Sequence, residues 1–230
     1  MFEVIFESEY FGFMLSLLGF AVGMIIQKRF KSPICNPLLI GIVFVMIVIK
    51  ILKIPYEDYY QSAQYIGYFL TPATVCLSIS LYKQIDALKD NWLAIITGIV
   101  AGIVTCMISV LVLAIIFNLS HIQYVTLIPK SITTAIGVTV SAEFGGIEQI
   151  TVATIVLTGI FGNIIAKPIL KAFKITNPIA QGIAIGTSSH AAGTPKAIEM
   201  GEVQGAMSGL AISIAGIVTV LLSQIFALIY

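Results

Sequence analysis

Two short polar runs interrupt an otherwise apolar chain, and they hold the side chains best able to do chemistry. The first is PKSITT, residues 129–134, which sets one ammonium, Lys130, beside the hydroxyls of Ser131, Thr133 and Thr134. A cation with several donors around it, at the start of a half-helix whose first N–H groups are free, is a cradle for an anion and for a carboxylate in particular. The second is GTSSHAAGT, residues 186–194, with Ser188, Ser189, His190 and Thr194. Its hydroxyls suit a substrate oxygen or freed backbone groups. His190 can donate to a carboxylate, carry a proton near neutral pH, or satisfy buried carbonyls. Just beyond, Lys196 and Glu199 stand at i,i+3, a spacing that permits an ion pair on one helical face. That pair is either a gate or coupling site or the solvated end of a helix. The candidate binding residues are therefore Lys130, Ser131, Thr133, Thr134, Ser188, Ser189, His190 and Thr194, with His190, Lys196 and Glu199 as coupling or gating candidates.

The elements that position these residues must lie in a membrane. The chain has 230 residues, of which 58% are hydrophobic and only 10% charged, with a mean hydropathy of +1.04. A soluble domain carries about 25% charged residues, so this chain could not cover its own surface in water. Spans need roughly 17–25 apolar residues. The apolar runs predict segments at Phe11–Gln27, Asn36–Leu52, Ala63–Tyr82, Trp92–Phe117, Gln123–Phe144, Ile150–Leu170, Asn177–Met207, and Ala206–Tyr230, with a loop at Lys53–Tyr60. The expectation is an all-α integral membrane protein: one polytopic domain over 1–230, with seven to eight transmembrane segments.

Three of these segments carry breaks: Thr71–Pro72, residues 128–137, and Gly186–Pro195, where clustered glycines and a proline predict local unwinding. Broken helices at membrane depth persist where protein or a water-lined cavity receives the freed backbone, as at the solute sites of transporters. On helical paths, Lys130 lies about 10 Å below one interface and His190 roughly 20 Å into a core about 30 Å thick. Basic clusters at Lys28–Lys31 and Lys167–Lys174 both predict a cytoplasmic side. Eight simple crossings place them on opposite faces, whereas seven crossings and one re-entrant element do not. Short echoes imply internal duplication: NPLLIGI at 36–42 with NPIAQGI at 177–183, and AGIVT at both 101–105 and 215–219.

Other function classes find little support. A net charge of +1 gives no nucleic-acid signal, and three widely spaced cysteines give no metal-binding pattern. No metal or cofactor is expected. Ser189 and His190 are sequence neighbours, which do not face each other on a helix, so they make a poor nucleophile–base pair, and no enzyme is expected.

Together, PKSITT, SAEFGG at 141–146, GTSSHAAGT and AIEMGEVQGAMSGLA at 197–211 resemble the LrgB/CidB family of bacterial membrane proteins, and the resemblance covers essentially the whole chain. Its family label, antiholin-like or murein-hydrolase regulator, reflects effects on autolysis. Relatives also include the plastidial glycolate/glycerate translocator and bacterial pyruvate transport systems. The resemblance thus implies a transporter of small monocarboxylates or 2-hydroxyacids in the bacterial cell membrane, proton-coupled and acting with a small LrgA/CidA-type membrane protein. Homo-oligomerisation is expected as well. The alternative it implies is an antiholin-like regulator of murein hydrolase export and autolysis. Two departures stand out: family members often carry a carboxylate where this chain has Thr139 or Ala142, and Pro195 replaces an expected alanine.

Overall fold

In a computed structural model of the protein, the structure describes residues 10–30, 35–69 and 85–230, together with Ser8, Pro72 and Tyr82. Every regular element among them is helical. The chain divides into two compact units, Met1–Cys76 and Leu77–Tyr230.

The first unit holds α1 (Phe11–Phe30), α2 (Pro37–Leu52), α3 (Tyr56–Ala63) and a 3-10 turn, Gln64–Phe69. Asn36 starts α2: its side-chain oxygen accepts from the backbone N–H of Leu38 at 2.8 Å and Leu39 at 3.3 Å, and Pro37 occupies the first turn, where no N–H is needed. The helix ends at Lys53 in a left-handed conformation, whose N–H returns to the carbonyls of Ile49 and Lys50. Backbones of α1 and α2 approach closely at Gly19 and Gly41; a Cβ on Gly19 would lie 3.0 Å from the Gly41 oxygen. The expected loop at Lys53–Tyr60 is instead mostly helix. Pro55 precedes α3, Glu57 and Asp58 favour its first turn, and Tyr59 and Ser62 tie it to α1. Those ties are Ser16 Oγ to the Tyr59 hydroxyl at 2.8 Å and the Gly12 N–H to Ser62 Oγ at 2.6 Å. The expected break at Thr71–Pro72 and most of the segment around it lie outside the described residues.

The second unit contains α4 (Ile85–Ile116), α5 (His121–Leu127), α6 (Thr134–Glu143), α7 (Glu148–Ala172), α8 (Pro178–Met200) and α9 (Glu202–Phe226). α5 opens with a capping box in which Ser120 and Gln123 satisfy each other's backbone N–H groups. Asn177 and Pro178 start α8 as Asn36 and Pro37 start α2, with Asn177 accepting from Ile179 and Ala180. The two copies of the NP motif thus build the same helix start. Their glycines, Gly41 and Gly182, both sit where a neighbouring helix comes close. The core is formed by Ile95, Ile99, Ile103 and Met107 of α4, Tyr124 and Val125 of α5, and Met207, Ala211 and Ala215 of α9. The Tyr124 hydroxyl donates to the Phe226 carbonyl at 3.0 Å.

Four described helices are long and apolar enough to cross a membrane: Phe11–Phe30, Lys89–Ile116, Glu148–Ala172 and Glu202–Phe226; Pro37–Leu52 is apolar and shorter. Their outer faces carry large exposed apolar side chains, such as Leu113, Leu157, Phe161, Ile217 and Leu221, as lipid contact requires.

The two expected breaks behave differently. Of the expected break at 128–137, residues 128–133 interrupt the span and leave two short helices, α5 and α6, while residues 134–137 already belong to α6. Gly186–Pro195 breaks as expected but at a single residue: His190, at φ 42° and ψ −144°, leaves helical geometry and divides α8 into two helical stretches. Gly182 and Gly186, one turn apart, are spent on packing. A Cβ on either would meet α9 backbone at Gln204 or Ser208. They let two helices touch rather than letting one come apart. The kink that Pro195 imposes is absorbed at His190, where α7 supplies partners for the displaced backbone.

Candidate functional site

The break between α5 and α6 forms the floor of a cavity of about 580 Å³, walled by α4 and α8. Lys130 and Ser131 come from the break, Thr105, Cys106 and Ser109 from α4, and Thr187 and Ser188 from α8. Lys130 is half-buried and is the one charged side chain among the residues lining this space. Its Nζ donates to Ser131 Oγ at 3.2 Å, and Ser131 Oγ lies 3.2 Å from Cys106 Sγ. The remaining wall is mostly small: Ala94, Gly98 and Gly102 on α4 face Ala180, Ala184 and the larger Ile183 on α8.

Three of the hydroxyls in this wall already donate to their own helices. Thr105 Oγ1 bonds the Ala101 carbonyl at 2.7 Å, Ser109 Oγ that of Thr105 at 2.6 Å, and Ser188 Oγ that of Ala184 at 2.7 Å. With their protons so engaged, these oxygens offer lone pairs to a ligand. The arrangement is therefore one ammonium amid acceptors and small apolar groups. It can hold one negative charge and receive hydrogen bonds from a hydroxyl on the same molecule.

His190 and Thr194 belong to a different place. The His190 ring is buried against α7, with Nε2 2.9 Å from the Ile155 carbonyl and Nδ1 3.5 Å from the Ala192 N–H. A carbonyl only accepts, so Nε2 carries the proton and Nδ1 is the acceptor. Asn163 Nδ2 donates to the Ala192 carbonyl at 3.0 Å, fixing the backbone just past the kink. Thr194 Oγ1 reaches the His190 carbonyl at 3.3 Å and Ser208 Oγ of α9 at 3.0 Å. Room for this cluster comes from α7. A Cβ on Gly159 would lie 2.6 Å from the His190 ring and 2.6 Å from Ala192 Cβ, and one on Gly162 would overlap Ser189 Oγ. The ring partners of His190 are backbone groups, and no hydroxyl nucleophile is among them.

The structure thus gathers Lys130, Ser131 and Ser188 in one cavity and buries His190 and Thr194 in a second cluster, with Ser189 between them, its Oγ 3.1 Å from Ser188 Oγ. Thr133 and Thr134 begin α6 and do not line the cavity; Thr133 is its N-cap by backbone geometry, without a side-chain cap. Lys196 and Glu199 form their i,i+3 pair at 2.6 Å, with Glu199 well exposed. Glu143 pairs with Gln224 Nε2 at 3.1 Å, and Thr139 bonds its own helix at Ala135. Sequence reading missed the α4 wall. The signal was present: Ala94, Gly98, Gly102 and Cys106 recur every fourth residue, with Thr105 and Ser109 one turn apart beside them.

The model of the LrgB-like family matches residues 16–229, spanning both breaks and both polar clusters. The chain belongs to the LrgB family. Among its relatives are the Antiholin-like proteins LrgB of Bacillus cereus (strain B4264) and Bacillus anthracis (strain A0248). Each is 34% identical over 220 residues, covering 95% of this chain and 96% of the relative. No solved structure matches the chain. Membership fits the apolar helices, and this LrgB-family chain is a multi-pass membrane protein.

Proposed function

We propose that this LrgB-family protein is antiholin-like, as its relatives are named, and that its molecular activity is to bind small monocarboxylates or 2-hydroxyacids and carry them across the bacterial cell membrane. The observation that carries this reading is the single ammonium, Lys130, among the described residues of a cavity of about 580 Å³ whose other lining is hydroxyls, the Cys106 thiol, small side chains and Ile183. A carboxylate leaving water must recover its lost hydration from a charge and from donors. Lys130 supplies the charge and Ser131 stands beside it. The lone pairs of Thr105, Ser109 and Ser188 suit a 2-hydroxyl. A small membrane protein of LrgA/CidA type is the proposed partner, self-association the proposed assembly, and protons the proposed coupling ion.

A second reading, favoured by the name its relatives carry, is that the protein regulates murein hydrolase export and autolysis without moving a solute. One experiment separates the two. Purified protein is reconstituted with and without the small partner, and uptake of labelled pyruvate, glycolate, lactate and glycerate is followed. A carrier gives saturable uptake that unlabelled substrate competes away, whereas a pore gives flux rising linearly with solute. Uptake equal to that of empty vesicles across the four acids leaves regulation alone standing.

A further inference from the structure

Behind the Lys130 cavity lies a second, much smaller one of about 10 Å³, lined by Cys106, Ser131, Thr187 and Thr219 among apolar neighbours. Cys106, Ser131 and Thr187 line both spaces. Thr187 is 7% exposed, and its Oγ1 is fully buried with no hydrogen-bond partner among the protein groups. Most hydroxyls along these helices bond the carbonyl one turn back, as Thr105, Ser109, Thr126 and Ser188 do. Thr187 does not, and α4 supplies the reason. Its methyl docks where Gly102 has no side chain, since a Cβ there would lie 2.9 Å from Thr187 Cγ2. Seating the methyl against α4 fixes χ1, which turns the hydroxyl away from its own helix. A buried hydroxyl without a partner costs about 1–3 kcal/mol.

We infer that this small cavity is a binding site for one water molecule, held by Thr187 Oγ1 with Ser131 and Thr219 and joining the α5–α6 break to α8 and α9. The size suits it: one water needs roughly 10–15 Å³ of such space and two to four polar partners. Three hydroxyls, from the break, α8 and α9, line the space together with the Cys106 thiol. A monovalent cation fits poorly. No carboxylate lines the cavity, and the Lys130 ammonium already bonds Ser131, so a second positive charge would sit one hydroxyl away from the first. The water is neutral, can both donate and accept, and satisfies Thr187 where no protein group does. It thereby connects the residue next to Lys130 to two other helices. This inference stands independently of what the large cavity carries.

The test compares Thr187→Val with Thr187→Ser in the full-length protein, by thermal unfolding in detergent. Valine keeps the shape that docks on Gly102 and removes the hydroxyl, so the water loses an anchor and the midpoint should fall by roughly 2–4 °C. Serine keeps the hydroxyl and should stay closer to the parent than valine does. A valine variant as stable as the parent, or more stable, overturns the inference, because replacing an unpaired hydroxyl by a methyl relieves its desolvation. An independent readout covers a variant that fails to fold. A structure of the parent at a resolution that shows ordered water should reveal a density peak within hydrogen-bond distance of Thr187 Oγ1. Thr187 rotated onto the Ile183 carbonyl with no peak beside it overturns the inference. So does a peak that appears only with sodium and has sodium–oxygen distances.

Discussion

Replacing Lys130 by Met tests the cradle directly, because methionine keeps much of the length and apolar stem and removes only the charge. Among the described residues of the cavity no other charged group stands in for it, and the ammonium bonds one neutral hydroxyl, Ser131 Oγ at 3.2 Å. A charge-assisted hydrogen bond contributes about 1.5–3 kcal/mol, and removing one member of a buried pair costs roughly 2–5 kcal/mol. Lys130 is only half-buried and its cavity is wide enough to hold water, so the lower part of that range applies, about 2–3 kcal/mol. At 1.4 kcal/mol per tenfold, affinity for a monocarboxylate should fall by about 30- to 140-fold. Lys130→Arg retains the charge and should stay within about tenfold of the parent. The assay is equilibrium binding of labelled substrate to protein in lipid nanodiscs, with circular dichroism confirming that each variant is folded. Binding by Lys130→Met within about threefold of the parent, a change worth less than 1 kcal/mol, refutes the cradle and leaves a lysine that reaches for the headgroups.

Two further outcomes follow from the second polar cluster. Gly162→Ala sets a Cβ on Ser189 Oγ and should destabilise the protein by about 1–3 kcal/mol, whereas Gly98→Ala, whose nearest neighbour would be Ile183 Cγ2 at 3.9 Å, should not; thermal unfolding of both checks it, and equal effects refute the packing account. His190→Gln can still donate to the Ile155 carbonyl but cannot take up a proton, so the protein should fold while uptake loses its pH dependence, and an unchanged pH profile assigns His190 to holding the kink alone.

Local signals in the sequence were sufficient for local structure. Asn36–Pro37 and Asn177–Pro178 announce helix starts because the cap and the proline act within one turn. The break at residues 128–133 was legible for the same reason. What a residue does for another helix was not legible. Gly186 read as the start of a break, whereas it is a packing position against Ser208 and Ala211 of α9. The grouping of the site residues depended on helix rotation: Thr187 and Ser188 face α4 across the cavity, while Ser189 and His190 point to Gly162 and Gly159 of α7. Successive helical residues turn by about 100°, so a polar run of four residues cannot serve one site. The α4 wall went unseen because its residues are individually bland and become a surface only opposite α8.

That wall bears on how tightly the cavity can hold its ligand. Because Thr105, Ser109 and Ser188 spend their protons on their own helices, the strong attraction for an anion comes from Lys130 almost alone. One charge-assisted contact of about 1.5–3 kcal/mol, with a few weaker bonds to a substrate hydroxyl, points to affinity nearer the millimolar level, about 4 kcal/mol, than the nanomolar level, about 12 kcal/mol. A receptor that reads a scarce signal is badly served by so few donors. A carrier is well served, since a solute held by one charge in a wide, partly wet cavity is also released by losing one contact. The second cluster stays rigid beside it, with His190, Asn163 and Thr194 each tied to backbone or hydroxyl partners on α7, α8 and α9. Weak holding next to a braced kink is the arrangement that the proposed carriage of a small acid requires at the Lys130 cavity.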